Sequence, residues 1–212
     1  MMNTISEVKE RYKGADFPPF LQAAYDGNIE DVRILLSEDG MDVNQKNYCG
    51  NTALIYASCF KHIDVVNLLL QQKNLKINQQ SNGGLTALHM ASGLGHTETV
   101  KLLLNHSDID VNIKDNDGKT RLHEASYQGH IQVVNLLLQH PNLNCINQQG
   151  NDPPNEQNYD GWTPLHWASG RGHTEIVKLL LNQTDIQLNI KDKGGKTPLK
   201  FASEEEVARS TW

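Results

Sequence analysis

The feature that most constrains the fold of this chain is an internal repeat. Residues 161–182 read GWTPLHWASGRGHTEIVKLLLN, residues 84–105 read GLTALHMASGLGHTETVKLLLN, and 17 of the 22 aligned positions are identical. Five threonines mark the repeat at spacings of 34, 34, 43 and 34 residues: Thr52, Thr86, Thr120, Thr163 and Thr197. A fixed period of this length is typical of repeat proteins, in which each unit buries its apolar surface against its neighbours.

Each unit has the pattern of two helices and a turn, which is clearest in the unit that begins at Thr163. A threonine followed by a proline starts a helix, because the hydroxyl caps free N–H groups and proline fits the first turn. Leu165 and Ala168 place apolar side chains on one side of that helix, and Gly172 suits the left-handed turn that ends it. A second helix with three successive leucines follows, and its apolar surface indicates burial on more than one side. Extended residues and a glycine turn then lead to the next threonine.

The motif TPLHWASGRGHTEIVKLLL, with a downstream asparagine and a turn glycine, resembles the ankyrin repeat. The resemblance covers residues 18 to about 203 and implies an all-α fold, an ankyrin-type helical repeat solenoid with β-hairpin or turn connections. The chain departs from the family pattern in its period, which is 34 residues rather than the usual value of about 33. In the second repeat, Ile55 and Lys61 replace the usual histidine and glycine.

The expected domain organisation follows this register. A capping segment at residues 1–17, with Ile5, Val8 and Tyr12 at helical spacing, precedes an ankyrin repeat domain at residues 18–203. The repeats are expected at residues 18–51, 52–85, 86–119, 120–162, 163–196 and, in partial form, 197–212, with a tail at 204–212. The spacing of 43 residues adds nine residues to the fourth repeat, which we assign to positions 150–158 in its hairpin. They form either a tolerated surface insertion, since lengthening a loop costs little entropy, or a longer finger that reaches a partner.

Composition and charge exclude several classes of protein. A formal net charge of −6 argues against nucleic-acid binding, which normally requires a basic surface. The apolar runs are too short for a membrane-spanning helix, so no membrane association is expected. Three cysteines without a CxxC pair, Cys49, Cys59 and Cys145, suit a reducing compartment, which favours a cytoplasmic or nuclear protein. We expect a monomer.

The nine histidines raise the alternative of a metal site, but they recur in register with the repeat. They occupy three positions relative to the threonine: His89, His123 and His166 three residues after it, His62, His96, His130 and His173 ten after it, and His106 and His140 twenty after it. Because a zinc site needs ligands that converge on one point, hydrogen bonding to backbone and hydroxyl groups within the repeats is the better interpretation. No catalytic or cofactor-binding motif is present either, so neither an enzyme nor a cofactor or metal is expected.

Recognition is expected where the repeats differ from one another. The resemblance implies that a partner contacts the turn residues beside each junction glycine and the residues that end the first helix. This partner-binding stripe consists of Tyr25, Asp26, Tyr48, Asn51, Phe60, Leu85, Leu94, Asn116, Asp117, Lys119, Tyr127, Gln128, Tyr159, Asp160, Trp162 and Arg171. The same positions also include Cys59, Asn82, Lys193 and Lys196. The six aromatic residues of the stripe either bind a partner, since tyrosine and tryptophan are favoured in binding sites, or pack onto neighbouring repeats. Two further aromatic residues, Tyr56 and Trp167, are expected in the core.

The predicted function is protein–protein interaction by a non-catalytic scaffold or adaptor. Two alternatives stay open: an inhibitory regulator that masks an enzyme or transcription factor, and an ankyrin protein of the type that intracellular bacteria deliver into host cells. An enzyme or metal protein is the least favoured class. The resemblance also implies that hairpin asparagines can be substrates of an asparaginyl hydroxylase. Asn44 and Asn112 match that pattern, and Asn78, Asn147 and Asn189 match it more loosely, although hydrogen bonding to the next repeat explains the same residues.

Overall fold

The helices lie where the repeat predicts them. The computed structural model describes residues 4–141 and 153–202. No β-strand is assigned within these ranges, which confirms the all-α class. The helices are α1 (Ile5–Arg11), α2 (Pro19–Asp26), α3 (Ile29–Leu36), α4 (Ala53–Cys59), α5 (Ile63–Leu70), α6 (Ala87–Gly93), α7 (Thr97–Leu104), α8 (Arg121–Gln128), α9 (Ile131–Gln139), α10 (Pro164–Arg171) and α11 (Thr174–Leu181). Residues 198–202 are also helical, and Pro153–Asn155 form one turn of 3-10 helix.

The chain divides into two compact units, and the boundary passes through the helix pair α6 and α7. The first unit comprises the residues up to Ala91 together with Glu98–Ile109. Within it, the first helices α2 and α4 of successive repeats pack on each other, and so do the second helices α3 and α5. Its core consists of fully buried aliphatic side chains such as Leu21, Val32 and Val66.

The second unit comprises Ser92–Thr97 together with the residues from Asp110 onward. It repeats the same packing, with α8 against α10 and α9 against α11. Leu122, Val134, Leu165 and Leu180 belong to its buried core.

Helix ends follow from particular side chains of the repeat. The Thr163 hydroxyl accepts a hydrogen bond from the backbone N–H of His166 at 3.3 Å and so caps α10, which has Pro164 in its first turn. The helix ends at Gly172, whose φ of +71° lies in the left-handed region that glycine adopts without strain. In the second repeat Lys61 stands at that position with a φ of +60°, which a side chain makes costly.

The connections are tight turns, which we call fingers, at residues 47–51, 81–85, 115–119, 158–162 and 192–196. In each finger the N–H of the first residue donates to the carbonyl of the fifth at 2.9–3.1 Å, as from Asn47 to Asn51. The side chain of the first residue accepts the N–H of the fifth, as Asp192 accepts from Lys196 at 2.7 Å. This second bond explains why asparagine, aspartate or serine opens every finger. Neighbouring fingers within a unit are also joined, since the N–H of Tyr159 donates to the carbonyl of Asp117 at 3.0 Å.

Residues 155–158, the last part of the predicted insertion 150–158, occupy regular positions of the repeat. The Asn44 side chain donates to the carbonyl of Asn74 and accepts from the N–H of Lys76, both at 2.7 Å. Asn155 makes the same pair of bonds, to the carbonyl of Asp185 and from the N–H of Gln187, again at 2.7 Å. Residues 155–158 therefore belong to the regular repeat, and the extra residues precede them. The prediction is therefore wrong for residues 155–158, while residues 150–152 lie outside the described part of the chain.

A helix occupies the predicted N-terminal capping segment. Val8 of α1 is buried, and α1 packs on α3. The buried carboxylate of Asp31 on α3 accepts hydrogen bonds from Arg11 at 2.5 and 2.6 Å, from the Tyr12 hydroxyl at 2.8 Å and from the Asn28 amide at 2.7 Å. Burial and the hydrogen bond to Asp31 raise the pKa of Tyr12 to about 12.

Three predictions fall outside the described residues: those on Cys145, on Asn147 and on the tail at 204–212. Among the helices that the structure does describe, none combines the length and apolar character needed to cross a membrane.

Candidate functional site

The structure places all residues of the predicted partner-binding stripe at or near the surface. None of the sixteen is buried; eleven are exposed, and the five half-buried ones are Asn51, Leu85, Lys119, Tyr127 and Trp162. They lie on the fingers and at the ends of the first helices. Their role in partner binding stays a prediction, but their exposure is compatible with it.

In the first unit, the aromatic residues of the stripe form one contact cluster and one isolated ring. The Tyr25 and Phe60 rings lie 4.5 Å apart and are 36% and 44% exposed. Both belong to a cluster with Tyr56, whose ring is 5.4 Å from that of Tyr25 and which is buried as predicted. Tyr48 lies on a finger and is 79% exposed. Packing within the cluster therefore accounts in part for the aromatic residues at positions 25 and 60, whereas it does not account for an aromatic residue at position 48.

In the second unit, aromatic rings from three successive repeats meet. The ring of Trp167 lies 4.8 Å from Tyr127 and 4.2 Å from Trp162, and Trp162 lies 4.7 Å from Phe201. Trp167 was predicted to be core but is only half-buried. Tyr159, on the same finger as Trp162, is 63% exposed.

Basic side chains cover the faces of these rings. The Arg171 guanidinium lies 4.1 Å from the centre of the Tyr127 ring and also donates to the Tyr127 hydroxyl. The ammonium groups of Lys119 and Lys196 lie 5.8 Å and 5.3 Å from the ring centres of Trp167 and Phe201. All three distances are within the range of cation–π attraction.

The rings enclose a pocket of about 400 Å³, which we call the aromatic pocket. It is lined by Tyr127, Trp162, His166, Trp167, Gly170, Arg171 and Phe201. The sequence prediction included three of these residues and missed Trp167 and Phe201. Both stand four residues after the repeat threonine, at a position where the five units that contain this threonine carry Tyr56, Met90, Glu124, Trp167 and Phe201. The variation at this position was the sequence signal from which Trp167 and Phe201 could have been predicted as binding residues.

The histidines hold the repeats together through hydrogen bonds. In His123, Nδ1 accepts from the N–H of Thr120 at 3.1 Å, so Nε2 carries the proton and donates to the carbonyls of Glu156 at 2.9 Å and Trp162 at 3.1 Å. Burial lowers the pKa of His123 to about 4, which keeps it neutral. His166 makes the equivalent bonds and has its pKa lowered by burial as well.

The histidines ten residues after the threonine bond across repeats rather than within one. His62, His130 and His173 each donate from Nε2 to a carbonyl of the preceding first helix, at 2.8, 3.0 and 3.0 Å. The predicted backbone bonding is therefore present, but it links neighbouring repeats. Among the described residues, no group of three histidine, cysteine, aspartate or glutamate side chains could hold a metal ion.

The sequence did not single out Arg121, which is fully buried at the start of α8. Its guanidinium donates to the carbonyl of Ile113 at 2.7 Å and to that of Val111. Burial lowers the pKa of Arg121 to about 10, so the group stays charged at neutral pH. These hydrogen bonds connect the segment before α8 to the start of the helix. In the next repeat, Pro164 occupies the position that corresponds to Arg121.

The structure also places the candidate asparagines Asn44 and Asn112 and two of the three cysteines. Asn44 is half-buried and uses its amide in the bonds to the following repeat, and Asn112 is half-buried as well. Hydroxylation of these two asparagines stays a prediction. Cys49 is exposed, while burial raises the pKa of the Cys59 thiol, which disfavours a reactive thiolate.

Comparison with known proteins agrees with this architecture. The family model for ankyrin repeats matches the chain in three copies, at residues 5–81, 72–149 and 142–210. No curated protein matches the chain.

Proposed function

Because the chain belongs to the ankyrin repeat family, whose members generally mediate protein–protein interactions, we propose that it is a non-catalytic scaffold or adaptor. It binds a partner protein with its fingers and the ends of its first helices. The observation that carries this proposal is the exposure of aromatic rings at those positions. Tyr48 and Tyr159 are 79% and 63% exposed on fingers whose backbones are held by hydrogen bonds.

Exposed tyrosines on a rigid turn suit binding for an energetic reason. A tyrosine side chain supplies a large contact area and loses little rotamer freedom when it is immobilised. The finger backbone is already ordered by its two internal hydrogen bonds, so binding pays little additional entropy. The net charge of −6 supports a protein rather than a nucleic acid as partner. The proposal includes a monomeric chain. It places the chain in the cytoplasm or nucleus, because the cysteine pattern favours a reducing compartment.

Quantitative affinity capture tests the proposal. Tagged wild-type chain and a Tyr48→Ala, Tyr159→Ala double variant are used to capture proteins from lysate, and each captured partner is then purified for titration. If the two rings are hot spots, the double variant should lose about 2 kcal/mol or more in affinity, roughly a thirtyfold weaker Kd.

An exposed apolar residue outside the stripe provides the matched control. Ile131, on the second helix α9, is 45% exposed, so Ile131→Ala removes a comparable apolar surface at another place. It should leave partner affinity unchanged. Equal affinity of wild type and the double tyrosine variant for every purified partner would contradict the proposal.

A further inference from the structure

The aromatic pocket of the second unit has the size and lining of a recognition site for one side chain. Its volume of about 400 Å³ lies in the usual range of ligand pockets. Ring surfaces of Tyr127, Trp162, Trp167 and Phe201 form the walls. Gly170, which contributes no side chain, also lines the pocket. A Cβ at Gly170 would lie 3.4 Å from the Phe201 ring, an ordinary contact.

The charges around the pocket disfavour a cationic occupant. Aromatic ring faces attract cations, but Arg171, Lys119 and Lys196 already occupy these faces. An incoming ammonium group would meet three like charges and would have to displace one of them.

Two carboxylates accompany these cations. Asp192 accepts a hydrogen bond from the Trp162 indole at 3.1 Å, and Asp117 pairs with Lys119 at 3.3 Å. His166 adds no charge at neutral pH, because burial lowers its pKa. Lys119, Arg171 and Lys196 therefore place three cations on the rings of the pocket, whereas the whole chain carries −6.

From this combination we propose that the aromatic pocket binds an acidic peptide segment of the partner protein, with a planar apolar side chain inserted between the rings and flanking carboxylates at Arg171, Lys119 and Lys196. The inference rests on the proposed function, since it specifies the chemistry of the partner. A planar side chain gains offset or edge contacts with the rings. The carboxylates complement the rim charges, and Arg171 can offer two parallel N–H groups to one of them.

Peptide titration tests the proposal directly. Three acetylated and amidated pentapeptides serve as probes: EDFDE, KKFKK and EDADE. They are titrated into the full chain carrying Trp212→Phe, so that the fluorescence comes from Trp162 and Trp167. EDFDE should change the emission saturably, with an affinity at least about tenfold higher than that of either other peptide. Absence of saturable binding by EDFDE, or equal or tighter binding of KKFKK, would overturn the proposal.

Two variants locate the binding in the pocket. Arg171→Gln should weaken EDFDE binding about tenfold, and Gly170→Leu should weaken it further, because the new side chain fills the pocket. Should Gly170→Leu unfold, as judged by circular dichroism, Arg171→Gln alone decides the location. Arg33→Gln, at an exposed arginine of α3 in the first unit, is the control and should leave the affinity unchanged. Unchanged EDFDE affinity in Arg171→Gln would refute the proposed site.

The outcomes separate this inference from the proposed function. If EDFDE does not bind but a captured partner still depends on Tyr48 and Tyr159, only the peptide chemistry is wrong. If EDFDE binds in the pocket but every captured partner ignores the two tyrosines, the role proposed for the fingers is wrong and the pocket stands.

Discussion

Replacement of His123 by glutamine should remove a defined part of the acid sensitivity of this protein. His123 is fully buried and is held on both sides of its ring, by the N–H of Thr120 and by the carbonyls of Glu156 and Trp162. Protonation of Nδ1 would turn the acceptor for the Thr120 N–H into a donor. The folded chain therefore resists protonation of His123.

The size of the effect follows from the pKa. Burial lowers the pKa of His123 from 6.5 to about 4, so between these values the unfolded chain binds a proton that the folded chain does not. The stability that depends on neutral His123 is complete above about pH 6.5 and is lost as the pH falls towards 4. Each pH unit in this window removes about 1.4 kcal/mol, so a change from about pH 7.5 to about pH 5 should cost about 2 kcal/mol.

Urea unfolding at the two pH values measures this cost. With Trp212→Phe as the common background of both chains, fluorescence of Trp162 and Trp167 reports on the unit that contains His123. Carboxylates and other histidines contribute equally to wild type and to His123→Gln, so the difference between their pH dependences isolates His123. Wild type should lose about 2 kcal/mol more than the variant between about pH 7.5 and pH 5.

Equal pH dependence of wild type and His123→Gln would refute this reasoning. If the variant does not fold, the wild-type chain still decides the matter, because histidine ring signals can be followed by NMR during acid titration. A His123 ring that titrates near pH 6.5 in the folded chain would show that burial does not keep it neutral.

Three further substitutions test the fold. Lys61→Gly should raise the free energy of unfolding by about 0.5–1 kcal/mol, because glycine relieves the positive φ at some cost in unfolded-state entropy; unchanged stability in urea would contradict it. Asp31→Asn should lower stability by about 1–3 kcal/mol, because it removes the buried negative charge and turns one of the two acceptor oxygens into a donor, and thermal unfolding measures the loss. Asn155→Ala should cost about as much as Asn44→Ala, roughly 1–2 kcal/mol for two hydrogen bonds. A much smaller loss for Asn155→Ala would show that Asn155 does not replace the regular hairpin asparagine.

The sequence was sufficient to predict the helices because the signals for their ends are local. The Thr163 cap, the proline after it and the left-handed Gly172 act within one helix, so their pattern can be recognised without knowing the neighbours. The packing of first helix on first helix also follows from the period. These predictions require only that each repeat has the same neighbours as the last.

The position of the insertion could not be predicted in the same way. Residues 146–149 read INQQ, which copies residues 77–80, so the sequence alignment favoured extra residues after that copy. The hydrogen bonds show instead that Asn155 contacts the following repeat. From the sequence, either Asn147 or Asn155 could be the asparagine that bonds to the following repeat. The bonds of Asn155 to Asp185 and Gln187 assign this position to Asn155.

The aromatic pocket was missed for a related reason, which also explains how such a repeat can acquire a binding site. The threonine and histidine of a repeat use their polar atoms in caps and cross-repeat bonds, so replacing either one removes those hydrogen bonds. The position four residues after the threonine has no part in the cap, and Trp167 and Phe201 occupy it in two successive repeats. Both rings line the aromatic pocket together with Gly170, which adds no side chain to fill it. Changes at such positions alter the surface while the caps stay intact, so recognition can vary along the chain with little cost in stability.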